Sequence, residues 1–181
     1  MLFATRVLLA LIALPVVGQT AAIRRLPARA FPSLPQLVRR TIEAEGCLIP
    51  QPDPSSGNEN VVRGHFRSHK RSDYAVLCSR DHQSTVLVID GVTGAILTRL
   101  NRQPDRTYLV FGDERYDKKK FLYSRRLATA TPTSRGFCLG EYTRDCPCKG
   151  TSYDGIDDIF EGKASETHCW RNGWHTVISG D

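Results

Sequence analysis

Between residues 61 and 91 apolar side chains return at every second position, separated by short polar stretches. Residues 61–66 lead in, 73–78 run back, and 85–89 make a third pass. Val76 and Cys78 on the second pass, and Val86 and Val88 on the third, follow period two. That spacing predicts a pleated surface with one face in a core. Residues 68–72 and 79–84 are too polar to pack and are predicted to turn. Upstream the period becomes helical: Leu34, Leu37, Val38 and Ile42 share a stripe that leaves Arg39, Arg40, Glu43 and Glu45 outside. Ser33 is the predicted N-cap, Pro35 suits the first turn, and Gly46 is placed to end the helix. The helix is expected to dock one face on the sheet.

Downstream, residues 95–100 and 108–111 read as a fourth and a fifth strand, and 121–128 as another. Residues 153–162 alternate after the Asp154-Gly155 turn. Residues 166–170 and 174–178 read as a hairpin, with Asn172-Gly173 the favoured pair for a two-residue turn. Trp170 and Trp174 flank that turn and are expected to pack on the core or on each other. Residues 50–60, rich in Pro, Ser, Asp and Asn, predict an exposed loop tolerant of change. Residues 129–136 form the clearest internal boundary. The pattern gives an α+β fold: a mainly antiparallel sheet, one N-terminal docking helix and a disulfide-stapled C-terminal hairpin region.

Residues 1–22 set the expected address. One positive charge at Arg6, an apolar run over 7–17 and small residues after it have the order of a secretory signal peptide, and the run is shorter than a membrane span. Residues 23–34 hold prolines and arginines without apolar period and read as a flexible leader. Residues 35–181 then form a single secreted domain. No nucleic-acid partner is expected, and no membrane contact after the signal is removed. The formal net charge of +6 is scattered over the chain without interleaved aromatics. These charges read as a solvated face, and a monomer is expected, with an unknown protein or cell-envelope polymer as partner.

Six cysteines suit an oxidising compartment. Cys47 and Cys78 stand in the first half, and Cys138, Cys146, Cys148 and Cys169 in the second, which suggests one bridge and two. Cys146-Pro147-Cys148 is too tight to close on itself, so each takes a distant partner. The pairing of the four later cysteines stays open.

The segment 64–76, GHFRSHKRSDYAV, resembles a worn FG-GAP or VCBS-type repeat through Gly64, Phe66, Asp73, Ala75 and Val76. Such repeats hold calcium in the loop between two strands. His65, Arg67 and His69 stand where acids would be, so the strand-loop-strand shape carries over and the calcium site does not. More widely, residues 37–181 resemble small exported bacterial proteins of uncharacterised function. The matching pieces include Gly46-Cys47, Ile49-Pro50-Gln51, residues 73–81, residues 154–158 and Lys163-Ala164-Ser165. That resemblance implies a shared fold and a Cys47–Cys78 bridge.

Three constellations offer candidate chemistry. His65, His69 and Asp73 have zinc-type donors but sit beside Lys70 and Arg71 and read as exposed turn residues. Cys138, Cys146, Cys148 and Cys169 with His168 lack paired Cys-x-x-Cys knuckles and read as two disulfides. Asp154, Asp157, Asp158 and Glu161 form an acidic cluster of the kind that serves glycoside hydrolysis when two carboxylates face each other. Alternation puts Asp157 and Glu161 on one side of a strand and Asp158 on the other. Asp81-His82 is a dyad by adjacency alone. No nucleophile elbow, His-Glu-x-x-His or phosphate loop is present. The expected function is a non-catalytic binding or interaction module with no catalytic residue, cofactor or metal. The alternative is a small secreted hydrolase using residues 154–161.

Overall fold

The computed structural model describes residues 23–53, 57–112, 121–133, 146–161 and 163–179. Two four-stranded antiparallel sheets carry the fold. The first is built in chain order from β3 (Val61–Gly64), β4 (Asp73–Arg80), β5 (Gln83–Asp90) and β6 (Ile96–Pro104). The second runs β9 (Arg125–Ala130), β10 (Gly155–Phe160), β11 (Ser165–Trp170) and β12 (Trp174–Ser179). Two short ribbons complete it: β1 (Arg25–Leu26) with β2 (Ile49–Pro50), and β7 (Leu109–Phe111) with β8 (Phe121–Tyr123). One α-helix, α1 (Gln36–Ala44), joins them. The fold is α+β and mainly β, as the alternation predicts.

The first sheet is buried on both faces. In antiparallel strands, residues directly opposite share a face. Val76 lies opposite Leu87, whereas Leu77 lies opposite Val86 and Ala75 opposite Val88. Val76, Cys78, Leu87 and Ile89 therefore pack with Phe31, Leu34, Val38 and Ile42 on the helix side. Ala75, Leu77, Val86 and Val88 pack with Phe66, Tyr108, Tyr123, Leu127, Ile156 and Phe160 on the side of the second sheet. This corrects the expected single buried face, which had grouped Val76 and Cys78 with Val86 and Val88. A strand covered on both sides is apolar at nearly every position, and period two then marks two cores rather than one.

Helix α1 begins later than predicted. Pro35 is its N-cap, with no side-chain cap from Ser33. Gly46 ends it at φ +67°, a conformation that glycine adopts without strain. Leu37 is 44% exposed rather than part of the buried stripe. Residues 23–34, expected as a flexible leader, are built into the fold: Arg25 and Leu26 pair with Pro50 and Ile49, and Ala28, Phe31 and Leu34 are buried. The loop over 50–60 is likewise more than exposed spacing. Gln51 and Asn60 are each 1% exposed. Asn60, at φ +69°, donates from Nδ2 to the Pro50 and Arg125 carbonyls and accepts from the Leu127 N–H. It thereby ties the β2 ribbon to β9. Strand β9 runs on to Ala130, into the stretch read as a boundary.

Cys47, just after α1, is bonded to Cys78 on β4, with Cα atoms 5.0 Å apart. Cys148 is bonded to Cys169 on β11, with Cα atoms 5.7 Å apart. Cys146 is also disulfide-bonded. Cys138 and the signal-like segment 1–22 lie outside the described residues. No helix among the described residues is long and apolar enough to cross a membrane. Disulfides fit folding in an oxidising environment.

Candidate functional site

Helix α1 is shorter than the sheet it covers, and this leaves one end of the helix-side face open. The β4–β5 hairpin carries Arg80 and Gln83 beyond the helix and turns through Asp81 and His82, both at positive φ (51° and 59°). A two-residue loop with both residues left-handed is the type I′ turn that matches strand twist. The adjacent pair Asp81-His82 is thus a turn.

Behind it, Asp105 is buried and fastens the hairpin end. Its Oδ2 accepts from Arg25 Nη2 (2.6 Å) and Ser79 Oγ (2.6 Å), while its N–H donates to the His82 carbonyl. Arg99 on β6 lies opposite Leu87 and so projects on the same face, and Arg102 follows past an irregularity in the β5–β6 register. Arg80, Arg99 and Arg102 thereby line a cleft of about 370 Å³, floored by Thr85, Leu87 and Cys78 and rimmed by Glu45 and Asp81.

Two of these arginines already hold carboxylates, but in weak surface pairs. Arg99 meets Glu45 at 2.8 Å and Arg80 meets Asp81 at 3.5 Å, with the arginine side chains 53% and 67% exposed. Such pairs contribute about 0–1 kcal/mol and exchange readily for a competing anion. Arginine also offers a planar fork of donors that matches carboxylate or phosphate oxygens.

The sequence-predicted site residues do not gather into a catalytic set. His65 Nδ1 lies 2.8 Å from the Arg71 carbonyl, and His69 Nε2 lies 3.0 Å from Ser152 Oγ with its ring against Tyr153. Asp73 faces Arg67 and is buried. The zinc-type donors of that loop are therefore dispersed. Asp154 accepts from the His65 N–H, Asp157 from Thr167, and Glu161 pairs with Arg126 at 3.1 Å. Asp158 points the other way, into the core. These four carboxylates do not face one another across a cleft.

What sequence reading missed is the charged knot around Asp158. Arg125 is fully buried between the sheets and donates from Nε and Nη2 to the Asp158 carboxylate at 2.8 and 2.6 Å. Its Nη1 donates to Ser84 Oγ, and its guanidinium lies 4.3 Å from the Tyr108 ring centre. Asn101 donates to Asp158 Oδ2 at 2.9 Å. Burial pushes the Asp158 carboxyl up, but the bonds and charge of Arg125, with the bond from Asn101, outweigh it and hold it at about 2. Burial, opposed by the Arg125 charge, pushes Tyr108 up to about 12.

His168 sits beside this knot, its Nδ1 2.9 Å from Thr176 Oγ1 and its Nε2 3.7 Å from Glu166 and 4.0 Å from Asp158. Asp158, Glu166 and His168 are the cluster of metal-type donors among the described residues. The donor set fits a divalent cation poorly, because Asp158 is already committed to the Arg125 charge at 2.6 Å. The alternation of Tyr123, Arg125 and Leu127, and of Ile156, Asp158 and Phe160, was the available signal. It places both charges on apolar faces, where an unpaired charge is costly. Comparison with protein-family models, curated proteins and solved structures finds no match.

Proposed function

We propose that this protein is an exported, non-catalytic binding module of the bacterial cell envelope or exterior, holding an anionic polymer in the arginine cleft. One observation carries the reading: three arginines from β4 and β6 converge on a sheet face that α1 leaves uncovered. The hairpin end is fixed from behind by Asp105, and the Cys47–Cys78 bridge ties β4 to the end of α1 beside the cleft, so the donors are presented without ordering a loop. The acids that would serve a hydrolase are engaged elsewhere, which favours binding over turnover. Residues 1–22 act as the export signal, and the disulfides support that address. The segment 64–76 keeps an FG-GAP-like strand-loop-strand frame, with Arg67 beside Asp73 supplying the positive charge.

The test is equilibrium binding of the protein to polygalacturonate, with neutral dextran as control. Saturable binding to the anionic polymer alone is expected. Equal retention by both polymers, or by neither, would refute the cleft as the binding site for such a chain.

A further inference from the structure

At the other end of the β4–β5 hairpin, and on its opposite face, a second pocket of about 280 Å³ is lined by Arg67, Ser68, Arg71, Asp73, Asp90 and Trp170. Asp73 and Asp90 are register partners on β4 and β5, and both are buried. Asp90 is anchored as a turn residue: its Oδ1 accepts from the Val92 and Thr93 N–H groups at 2.9 and 2.8 Å. Arg67, from the β3–β4 loop, reaches between the two acids without closing on either. Its Nε lies 3.9 Å from Asp73 Oδ2 and its Nη2 lies 3.9 Å from Asp90 Oδ2, and Arg67 Nε has no hydrogen-bond partner though it is buried. Trp170, at the end of β11, forms an aromatic wall with its centre 5.9 Å from the Arg67 guanidinium.

The chemistry of that lining selects its ligand. Two carboxylates and two guanidiniums balance, so neither a cation nor an anion gains from the pocket as a whole. An apolar ligand would leave the charged groups without partners, which is costly. A hydroxyl group both donates and accepts. Placed beside either 3.9 Å gap, it takes a hydrogen bond from Arg67 and gives one to the facing carboxylate, with each bond near its usual length of about 2.7–2.9 Å. Several hydroxyls on a ring with one apolar face complete the match, since that face packs on an indole. The volume lies just below the usual range of ligand pockets, about 300–1,000 Å³, and suits a single ring.

We infer that the pocket bounded by Arg67, Asp73, Asp90 and Trp170 binds one neutral, polyhydroxylated ring of a saccharide. The inference stands apart from the arginine cleft, which lies on the opposite face of the sheet. Burial pushes the Asp73 carboxyl up, opposed by Arg67, which agrees with a carboxyl in a confined site.

The test is saturation-transfer NMR on the intact protein with N-acetylglucosamine, glucose, mannose and rhamnose, and with acetate and methylammonium as charged probes. At least one neutral sugar should bind, and Arg71→Gln and Trp170→Ala should each weaken it by about tenfold or more. Arg80→Gln and Arg102→Gln should leave the sugar affinity unchanged, even if they abolish polymer binding. If Trp170→Ala fails to fold, Arg71→Gln decides, because Arg71 is exposed on the loop. Absence of binding by all four sugars, preference for either charged probe, or affinity indifferent to Arg71→Gln would overturn the inference.

Discussion

Arg125 and Asp158 hold opposite charges in a place where neither would be tolerated alone. A buried pair of this kind is close to neutral against a well-packed apolar alternative, but removing one partner strands the other. Asp158→Ala should therefore destabilise the fold by about 3–5 kcal/mol, read as a shift in urea midpoint. Its pH dependence has a defined sign. The folded carboxyl titrates at about 2 against an ordinary 3.8, so the unfolded chain takes the proton more readily. The stabilisation is complete above about pH 4 and is lost as pH falls towards 2, amounting to roughly 2–3 kcal/mol. Urea unfolding followed across that window should show the loss in the native protein, with a smaller contribution in Asp158→Asn. Indifference of the native protein to pH there would contradict the ion-pair account.

Among the elements, the β4–β5 hairpin decides most. Its turn places Asp81 and His82 at positive φ, where Asn-Gly is the favoured pair. Replacing the two with Asn and Gly should raise stability by about 1 kcal/mol, measured by thermal unfolding, without changing the cleft lining beyond Asp81. Joint Cys47→Ser and Cys78→Ser substitution should cost roughly 3–4 kcal/mol, because the bridge closes a sequence separation of 31.

Period two made these strands legible in the sequence, and Gly46 marked the helix end. The pairing of faces was not legible, because residues 75–78 and 86–89 are apolar on both sides and only register assigns them. Residues 23–34 looked unstructured because their order comes from tertiary partners, Pro50 and Ile49, rather than local period. The hairpin over residues 165–179 was legible in place and in the three residues, 171–173, that join its strands. Trp170 pairs directly with Trp174, and the two rings meet edge to face at 5.8 Å. The arginine cleft was the least legible feature. Its arginines are spread over residues 80–102, on β4 and β6, and become neighbours only through the β4–β5 and β5–β6 registers.

For the whole molecule, the first sheet is a plate with a cleft at each end. One end presents arginines on the helix side, and the other presents the charge-balanced pocket on the side of the second sheet. The eight-residue strands between them set a spacing of about 23 Å. A polymer bearing both acidic groups and neutral rings fits such an arrangement. The anionic part of that recognition should be screened by salt, since exposed charges lose most of their attraction beyond a Debye length of about 8 Å at physiological ionic strength.

The direct measurement of the central claim is polygalacturonate binding across a salt series, for the native protein and for the combined Arg80→Gln, Arg99→Gln, Arg102→Gln variant. The account predicts binding that weakens steeply with salt in the native protein and is lost in the variant, whose circular dichroism and melting remain native-like. Binding that survives in the variant with the same salt dependence would place the ligand elsewhere and contradict the cleft.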